Sequence, residues 1–170
     1  EKFVTPNLDR FAQQSTRFTD FYAAAPVCSP TRAACITGLA PARVKVTNHV
    51  PDGWGFYAAK APAGTKPGER KGRKWGPGKS LHVLEKKHET IAQRLKSAGY
   101  NTGFIGKWHM GAGNDNPRPG FDYWFSFKGQ GQYYPPNEKY TINDNGKRVP
   151  QDGYITTLLT QHAVKFLESQ

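Results

Sequence analysis

Residues 26–38, PVCSPTRAACITG, place a cysteine at the predicted start of a helix. Pro30 favours the first turn of a helix, and Gly38 is the residue type that most often follows the last turn. The unpaired N–H groups and the positive dipole end of a helix N-terminus favour negative charge. Arg32, one turn further on, adds a planar guanidinium that suits oxyanions. The stretch therefore predicts an anion-binding site that contains Cys28.

A second reactive segment, residues 106–113 (GKWHMGAG), follows a predicted buried strand in YNTGFIG. In an extended backbone, Lys107 and His109 would point to the same face because side chains alternate. The carboxyl end of a strand is also where open α/β sheets usually bind ligands. A nucleophile position, two fixed cations and an imidazole favour chemistry on an oxyanion such as a sulfate or phosphate ester.

The two segments together resemble the signatures of type I sulfatases, the formylglycine-dependent branch of the alkaline phosphatase superfamily. Cys28, Pro30 and Arg32 match the Cys-x-Pro-x-Arg signature. The second signature, Gly-Tyr-x-Thr followed by Gly-Lys-Trp-His, is matched by Gly99, Tyr100, Thr102, Gly106, Lys107, Trp108 and His109. The flanking stretches TPNLDRFA and GFDYWFSF are similar to the family as well.

The resemblance implies an α/β fold, part of an alkaline-phosphatase-like sandwich of helices around a mixed, mostly parallel sheet. Residues 1–170 would be the N-terminal part of a sulfatase catalytic domain, without its first strand and C-terminal portion. The stretch PARVKVTNHVPDG is similar to bacterial sulfatases that act on sulfated carbohydrates, which favours such a substrate.

The resemblance also implies a catalytic chemistry. Cys28 would be converted to formylglycine (3-oxoalanine) by a formylglycine-generating or anaerobic sulfatase-maturating enzyme, and the aldehyde would hydrate to a diol. One hydroxyl would displace the alcohol from sulfur, and loss of a proton from the other would release sulfate. Arg32 and Lys107 would hold the diol and metal-bound oxygens, while His109 would bind the diol hydroxyl and assist its deprotonation. Lys107 and His109 would also bind the substrate sulfate.

A calcium ion is the cofactor that the resemblance implies, with modified Cys28 as one of its ligands. The family places its carboxylate ligands upstream of Glu1 and beyond Gln170. The 170-residue chain alone is therefore expected neither to bind calcium tightly nor to turn over substrate.

The charge balance leaves other functions open. The formal net charge of +11 predicts attraction to polyanions, and residues 60–87 hold nine basic and two acidic side chains. The alternatives are a phosphodiesterase or phosphonate hydrolase of the same superfamily, and a non-catalytic polyanion-binding module. No apolar run approaches the roughly 20 residues that span a bilayer. The resemblance favours sulfated carbohydrate over nucleic acid as the partner, and a periplasmic or secreted location.

Local patterns predict a helix near residues 6–15, a strand within residues 16–25 and a long loop over residues 51–80. Residues 120–136, rich in aromatic residues and glycine, are expected to form a loop. Asp152 is expected to cap a final helix.

A further helix is predicted after Thr90, which forms a capping box with Gln93. Its buried stripe would consist of Ile91, Leu95 and Ala98, and Gly99 would end it.

The remaining cysteine and histidines have structural interpretations. Cys35 is expected to pack in the interior, and a spacing of about 10 Å along a helix argues against a disulfide with Cys28. His49, which is also a weaker candidate for the substrate cleft, is expected to be structural, as are His82, His88 and His162. Five aromatic residues are candidates for stacking on sugar rings or for core packing: Trp54, Phe56, Tyr57, Tyr133 and Tyr134.

Overall fold

The computed structural model describes residues 3–48, 80–81, 83–111 and 114–170. Helices alternate with strands along the chain, and the α/β class expected from the sequence is confirmed. The elements in order are α1 Pro6–Gln13, α2 Cys28–Thr37, α3 Pro41–Val44, α4 Ile91–Ser97, β1 Gly103–Lys107, β2 Tyr123–Phe127, β3 Thr141–Asp144, β4 Lys147–Pro150 and α5 Ile155–Glu168. None of the helices in these ranges is long and apolar enough to cross a membrane.

The four described strands form one mixed sheet in the order β1-β2-β3-β4. β1 and β2 are parallel, and Lys107 at the end of β1 pairs with Phe127 at the end of β2. β3 is antiparallel to both β2 and β4. Because β1 and β2 are parallel, the loops that leave their carboxyl ends start side by side.

Two apolar clusters lie on this framework. Trp124 and Phe125 are consecutive in β2, and both are almost completely buried. Trp124 belongs to a cluster with residues of α2, α3 and the loop after β1, whereas Phe125 packs with residues of β3 and α5. Successive side chains of a strand point to opposite faces. The sheet is therefore covered on both faces at β2.

Gly103 allows α5 to approach β1 closely. A Cβ atom at this position would lie 2.9 Å from Cε1 of Phe166 in α5, which is too close for an unstrained contact. This approach places the last helix directly against the strand that leads to Lys107.

Several of the predicted elements are confirmed. Helix α1 starts after Thr5, and α2 ends at Gly38, which adopts a left-handed φ of 68°. The Thr90–Gln93 capping box is present, with the Gln93 N–H donating to Thr90 Oγ1 and the Thr90 N–H donating to Gln93 Oε1. The strand predicted in YNTGFIG is β1.

The strand expected within residues 16–25 is wrong. This stretch forms no strand, and Phe18, Phe21 and Tyr22 are exposed. An alternating pattern forms a strand only where a partner can accept its backbone hydrogen bonds, and no described strand lies beside it.

The loop expected over residues 120–136 is also wrong in part, because residues 123–127 form β2. Four of the five β2 residues are buried, so the strand shows none of the polar alternation of a half-exposed strand. Of the loop predicted over residues 51–80, all but Ser80 lies outside the described residues.

Two details of the predicted helices need correction. Ala92 is the buried residue of α4, whereas Ile91, Leu95 and Ala98, which the sequence predicts as its buried stripe, are all exposed. The face of α4 that packs against the rest of the protein is therefore the one that contains Ala92, and not the predicted stripe. At α5 the N-cap is Tyr154 and not Asp152, so the helix starts later than expected.

Candidate active site

Cys28 is the first residue of α2 and is half-buried. Val27 precedes it in an extended conformation, and no side chain caps this helix end. Thr31 Oγ1 donates to the carbonyl oxygen of Ala25 at 2.7 Å, which fixes the chain as it enters the helix. The Cys28 thiol is consequently held in a defined position at the positive end of the helix dipole.

His109 contacts Cys28 directly across 81 residues of sequence, with 2.9 Å between Sγ and Nδ1. The ring is buried, and its residue has a left-handed φ of 53°. Ser29, also buried, donates from Oγ to the His109 carbonyl oxygen at 2.8 Å. Ser29 is not among the predicted site residues, because it occupies a position that the signature leaves open.

The expectation that Lys107 and His109 point to one face of an extended backbone is wrong, because His109 adopts a left-handed conformation. The backbone is not extended through this residue, so Lys107 and His109 do not follow simple strand alternation. The two side chains instead reach different partners, Lys107 toward the loop after β2 and His109 toward α2.

Arg32 connects α2 to the end of β1. Its Nη1 donates to the carbonyl oxygen of Lys107 at 2.6 Å. Its Nε is buried and finds no hydrogen-bond partner within the described part of the chain. A buried guanidinium donor without a partner costs free energy unless a ligand completes its hydrogen bonding, and an oxyanion is the natural acceptor.

Lys107 ends β1 and donates from Nζ to Oε1 of Gln130. Gln130 lies in the loop that leaves β2, three residues after the strand partner of Lys107. Gln130 is not among the predicted site residues because it lies outside both signatures. Only the parallel pairing of β1 with β2 reveals that its loop starts next to Lys107.

The contacts join the four residues predicted for the site in two pairs, and both pairs connect α2 to the segment 107–109. Cys28 contacts His109, and Arg32 contacts the backbone of Lys107. The family model for sulfatases matches residues 1–170. This chain belongs to the sulfatase family.

Relatives of the sulfatase family share this region at moderate identity. The chain is 30% identical to N-acetylgalactosamine-6-sulfatase of Mus musculus, over 98% of this chain and 32% of that protein. It is 31% identical to N-acetylglucosamine-6-O-sulfatase of Bacteroides thetaiotaomicron, over 98% of this chain and 23% of that protein.

A solved structure shows the same fold. Ps i-CgsB, in complex with k-i-k-neocarrahexaose, superposes with a TM-score of 0.72 at 28% identity, covering 97% of this chain and 36% of that one. The chain thus spans about a quarter to a third of the length of these relatives. The alkaline-phosphatase-like fold expected from the sequence is confirmed.

The site is suited to an anion and not, by itself, to a cation. Arg32 and Lys107 are cationic side chains, and no group of three or more His, Cys, Asp or Glu residues among the described residues is arranged to hold a metal ion. Calcium takes six to eight oxygen ligands, mostly carboxylates and carbonyls. The described residues therefore do not form a complete calcium site.

Cys35 differs from its expected role. It is exposed, and it lines a groove of about 440 Å³ between α2, α4 and β1 instead of packing in the interior. Both Cys35 and Cys28 are free thiols, so the expected absence of a disulfide between them agrees with the structure.

The histidines outside the signature have structural contacts where they are described. His88 faces Glu85 at 3.9 Å, and His162 stacks on Phe125 and bonds the Tyr123 hydroxyl. Burial lowers the pKa of His162, which favours the neutral ring. His49 and His82 lie outside the described residues.

The aromatic candidates divide in the same way. Tyr133 and Tyr134 are exposed, which excludes the core-packing interpretation for both. The Tyr133 ring stacks on Tyr154, and the Tyr134 ring is tilted against it. Trp54, Phe56 and Tyr57 lie outside the described residues, as does most of the basic stretch over residues 60–87.

Proposed function

We propose that the protein containing this chain hydrolyses sulfate esters of carbohydrates, with formylglycine derived from Cys28 as its nucleophile. The contact of 2.9 Å between Cys28 Sγ and His109 Nδ1 carries the proposal. It pairs the residue that the family modifies with a group able to move a proton, and Arg32 lies one turn further along the same helix. Membership of the sulfatase family supports the same activity.

The hydrated aldehyde would supply two hydroxyls on one carbon, one to displace the alcohol from sulfur and one to release sulfate. Arg32 would use its unsatisfied Nε to bind an oxyanion at the start of α2. His109 would exchange a proton at Nδ1, the atom that faces position 28. Lys107 would bind the sulfate oxygens and stabilise the negative charge that develops on them.

Calcium belongs to this proposal as a cofactor whose ligands come mainly from outside the described residues. The position-28 side chain would contribute one oxygen to it. Because the described residues offer no cluster of acidic ligands, residues 1–170 alone are proposed neither to bind calcium tightly nor to turn over substrate.

Sulfated carbohydrate is the proposed substrate class. The relatives named above act on 6-sulfated N-acetylhexosamines, and Ps i-CgsB binds a neocarrahexaose, according to their names. A maturation enzyme that oxidises Cys28 is the proposed protein partner. We further propose a periplasmic or secreted location, on the basis of family membership alone.

Mass spectrometry of the peptide containing residue 28 tests the modification. Conversion to formylglycine turns the CH2–SH side chain into CHO, with loss of the sulfur and gain of an oxygen, and lowers the peptide mass, whereas a structural cysteine keeps its mass. The matched control is Cys35, seven residues along the same helix and exposed, which should keep its thiol.

Kinetics test the reaction. Cys28→Ala should abolish turnover of 6-sulfated hexosamines and sulfated oligosaccharides, whereas Cys35→Ala should retain it. Faster turnover of a phosphate diester or phosphonate than of every sulfate ester would replace the proposal with the alternative hydrolase. Metal-independent glycan binding that survives Cys28→Ala, without turnover, would replace it with a binding module.

A further inference from the structure

Gln130 lies at the carboxyl edge of the sheet, next to a predicted sulfate-binding residue. Phe127 is the strand partner of Lys107, and the chain leaves β2 immediately after it. Three residues later, Gln130 accepts a hydrogen bond from Lys107 Nζ through its side-chain Oε1. The contact thus joins the two loops that the parallel pairing places together.

The backbone around Gln130 is held in a specific shape. Gly129 and Gly131 on either side have left-handed φ values of 58° and 75°. A Cβ atom at Gly131 would lie 2.5 Å from the ring of Phe127, so only glycine permits the loop to fold onto that ring. The loop therefore leaves β2 in a tight bend that directs Gln130 toward β1.

Gln151 fixes the far side of the same loop. Its side chain is buried, and Nε2 donates to the carbonyl oxygens of Gln132 and Tyr133, both at 3.2 Å. These bonds connect the loop to the segment just before α5. The loop that carries Gln130 is consequently anchored at both ends, by β2 before it and by Gln151 after it. Loops without such anchors are more mobile.

The amide is the right chemical group to hold this lysine. A lysine side chain has several rotatable bonds, and fixing it costs conformational free energy. Lys107 is held at its carbonyl oxygen by Arg32 and at its ammonium by Gln130. An amide oxygen accepts a hydrogen bond from an ammonium without cancelling its charge, whereas a carboxylate would form an ion pair.

We propose that Gln130 is a positioning residue that holds the Lys107 ammonium, still fully charged, for the sulfate group of the substrate. The proposal rests on the proposed function and adds a residue that the family signatures do not contain. According to the proposal, the Gln130 side chain must be uncharged as well as able to accept the hydrogen bond from Lys107.

Steady-state kinetics of the protein containing this chain test the charge requirement. Gln130→Glu keeps the shape and the acceptor but adds a negative charge, and should raise KM for a sulfate ester about tenfold with a smaller change in kcat. Gln130→Leu removes the acceptor and should lower kcat/KM about fivefold. Gln132→Glu adds the same charge two residues away and should stay close to wild type. Equal effects of the two glutamates would overturn the proposal.

A second measurement is independent of turnover. Lysines are dimethylated with 13C-formaldehyde, the Lys107 signal is assigned with Lys107→Arg, and its mobility is measured by NMR relaxation. Gln130→Leu should make this signal more mobile, while Gln132→Leu should leave it unchanged. An unchanged signal in Gln130→Leu would overturn the inference even in an active enzyme. A wild-type protein that cleaves no sulfate ester, yet shows the expected mobility, would instead refute the proposed function.

Discussion

Ser29 shows how a residue that the signature leaves open can support a signature residue. Its side chain is fully buried, and its hydroxyl donates to the carbonyl oxygen of His109. The bond links the first turn of α2 to the left-handed backbone that presents the imidazole. The Ser29 hydroxyl therefore contributes to the alignment of Cys28 with His109.

Ser29→Ala should lower the free energy of unfolding by about 1–3 kcal/mol, because it leaves a buried carbonyl oxygen with a lost hydrogen bond. It should also lower kcat, since His109 would lose part of its support. Chemical denaturation and steady-state kinetics measure the two effects.

Ser126 provides a matched control for this substitution. It is equally buried, but its Oγ has no hydrogen-bond partner within the described residues. Ser126→Ala should leave the free energy of unfolding unchanged or raise it, because a desolvated hydroxyl is removed. Equal losses in the two variants would show that the Ser29 bond contributes nothing specific.

At the scale of elements, a buried ion pair fastens the β3–β4 hairpin to the connection between β1 and β2. Asp115 is almost completely buried, and both of its carboxylate oxygens accept hydrogen bonds from Arg148 in β4, one of them at 2.8 Å. The Asp115 carbonyl oxygen accepts a further bond from Trp124 Nε1 at 2.8 Å. The pair therefore connects three segments around the buried face of β2.

Arg148→Met should lower the free energy of unfolding by about 3–5 kcal/mol, because it leaves the Asp115 carboxylate buried without its partner. Arg94 is the control, since it pairs with Glu89 at 2.7 Å while both side chains are more than half exposed. Arg94→Met should leave the unfolding free energy nearly unchanged. Similar losses in both variants, measured by chemical denaturation, would contradict this account.

The β3–β4 hairpin also shows what the sequence made predictable and what was overlooked. Asn145-Gly146 is the preferred dipeptide of a two-residue hairpin turn, and both residues adopt positive φ values of 50° and 89°. The signal was present, but the short and mostly exposed β4 lacks the apolar alternation that marks a strand. β2 was overlooked for the opposite reason, because burial on both faces removes the alternation.

The candidate site likewise contains residues that the sequence predicts and one that it does not. Cys28, Arg32, Lys107 and His109 could be predicted because the chemistry restricts the residue type at each position. Gln130 could not, because its proximity to Lys107 depends on the parallel register of two strands that are 20 residues apart along the chain. A long-range pairing of this kind leaves no local pattern in the sequence.

At the scale of the whole chain, the charge distribution together with the proposed substrate class predicts how a sulfated carbohydrate approaches. The sequence has 24 basic and 13 acidic residues, and its most basic stretch, residues 60–87, precedes the strand that carries Lys107. A net charge of +11 attracts a polysulfated chain from a distance, whereas a small monoester carries a single charge and is attracted less.

Raising the ionic strength from about 0.01 M to about 0.1 M shortens the Debye length from about 30 Å to about 10 Å. The kcat/KM for a polysulfated oligosaccharide should therefore fall several-fold, while kcat/KM for a small aryl sulfate should change much less. A variant with Gln at positions 70, 71, 73 and 74 removes four positive charges from the basic stretch and should show a weaker salt dependence on the oligosaccharide. If both substrates responded equally, or if the variant kept the wild-type slope, the basic stretch would have no part in attracting the substrate.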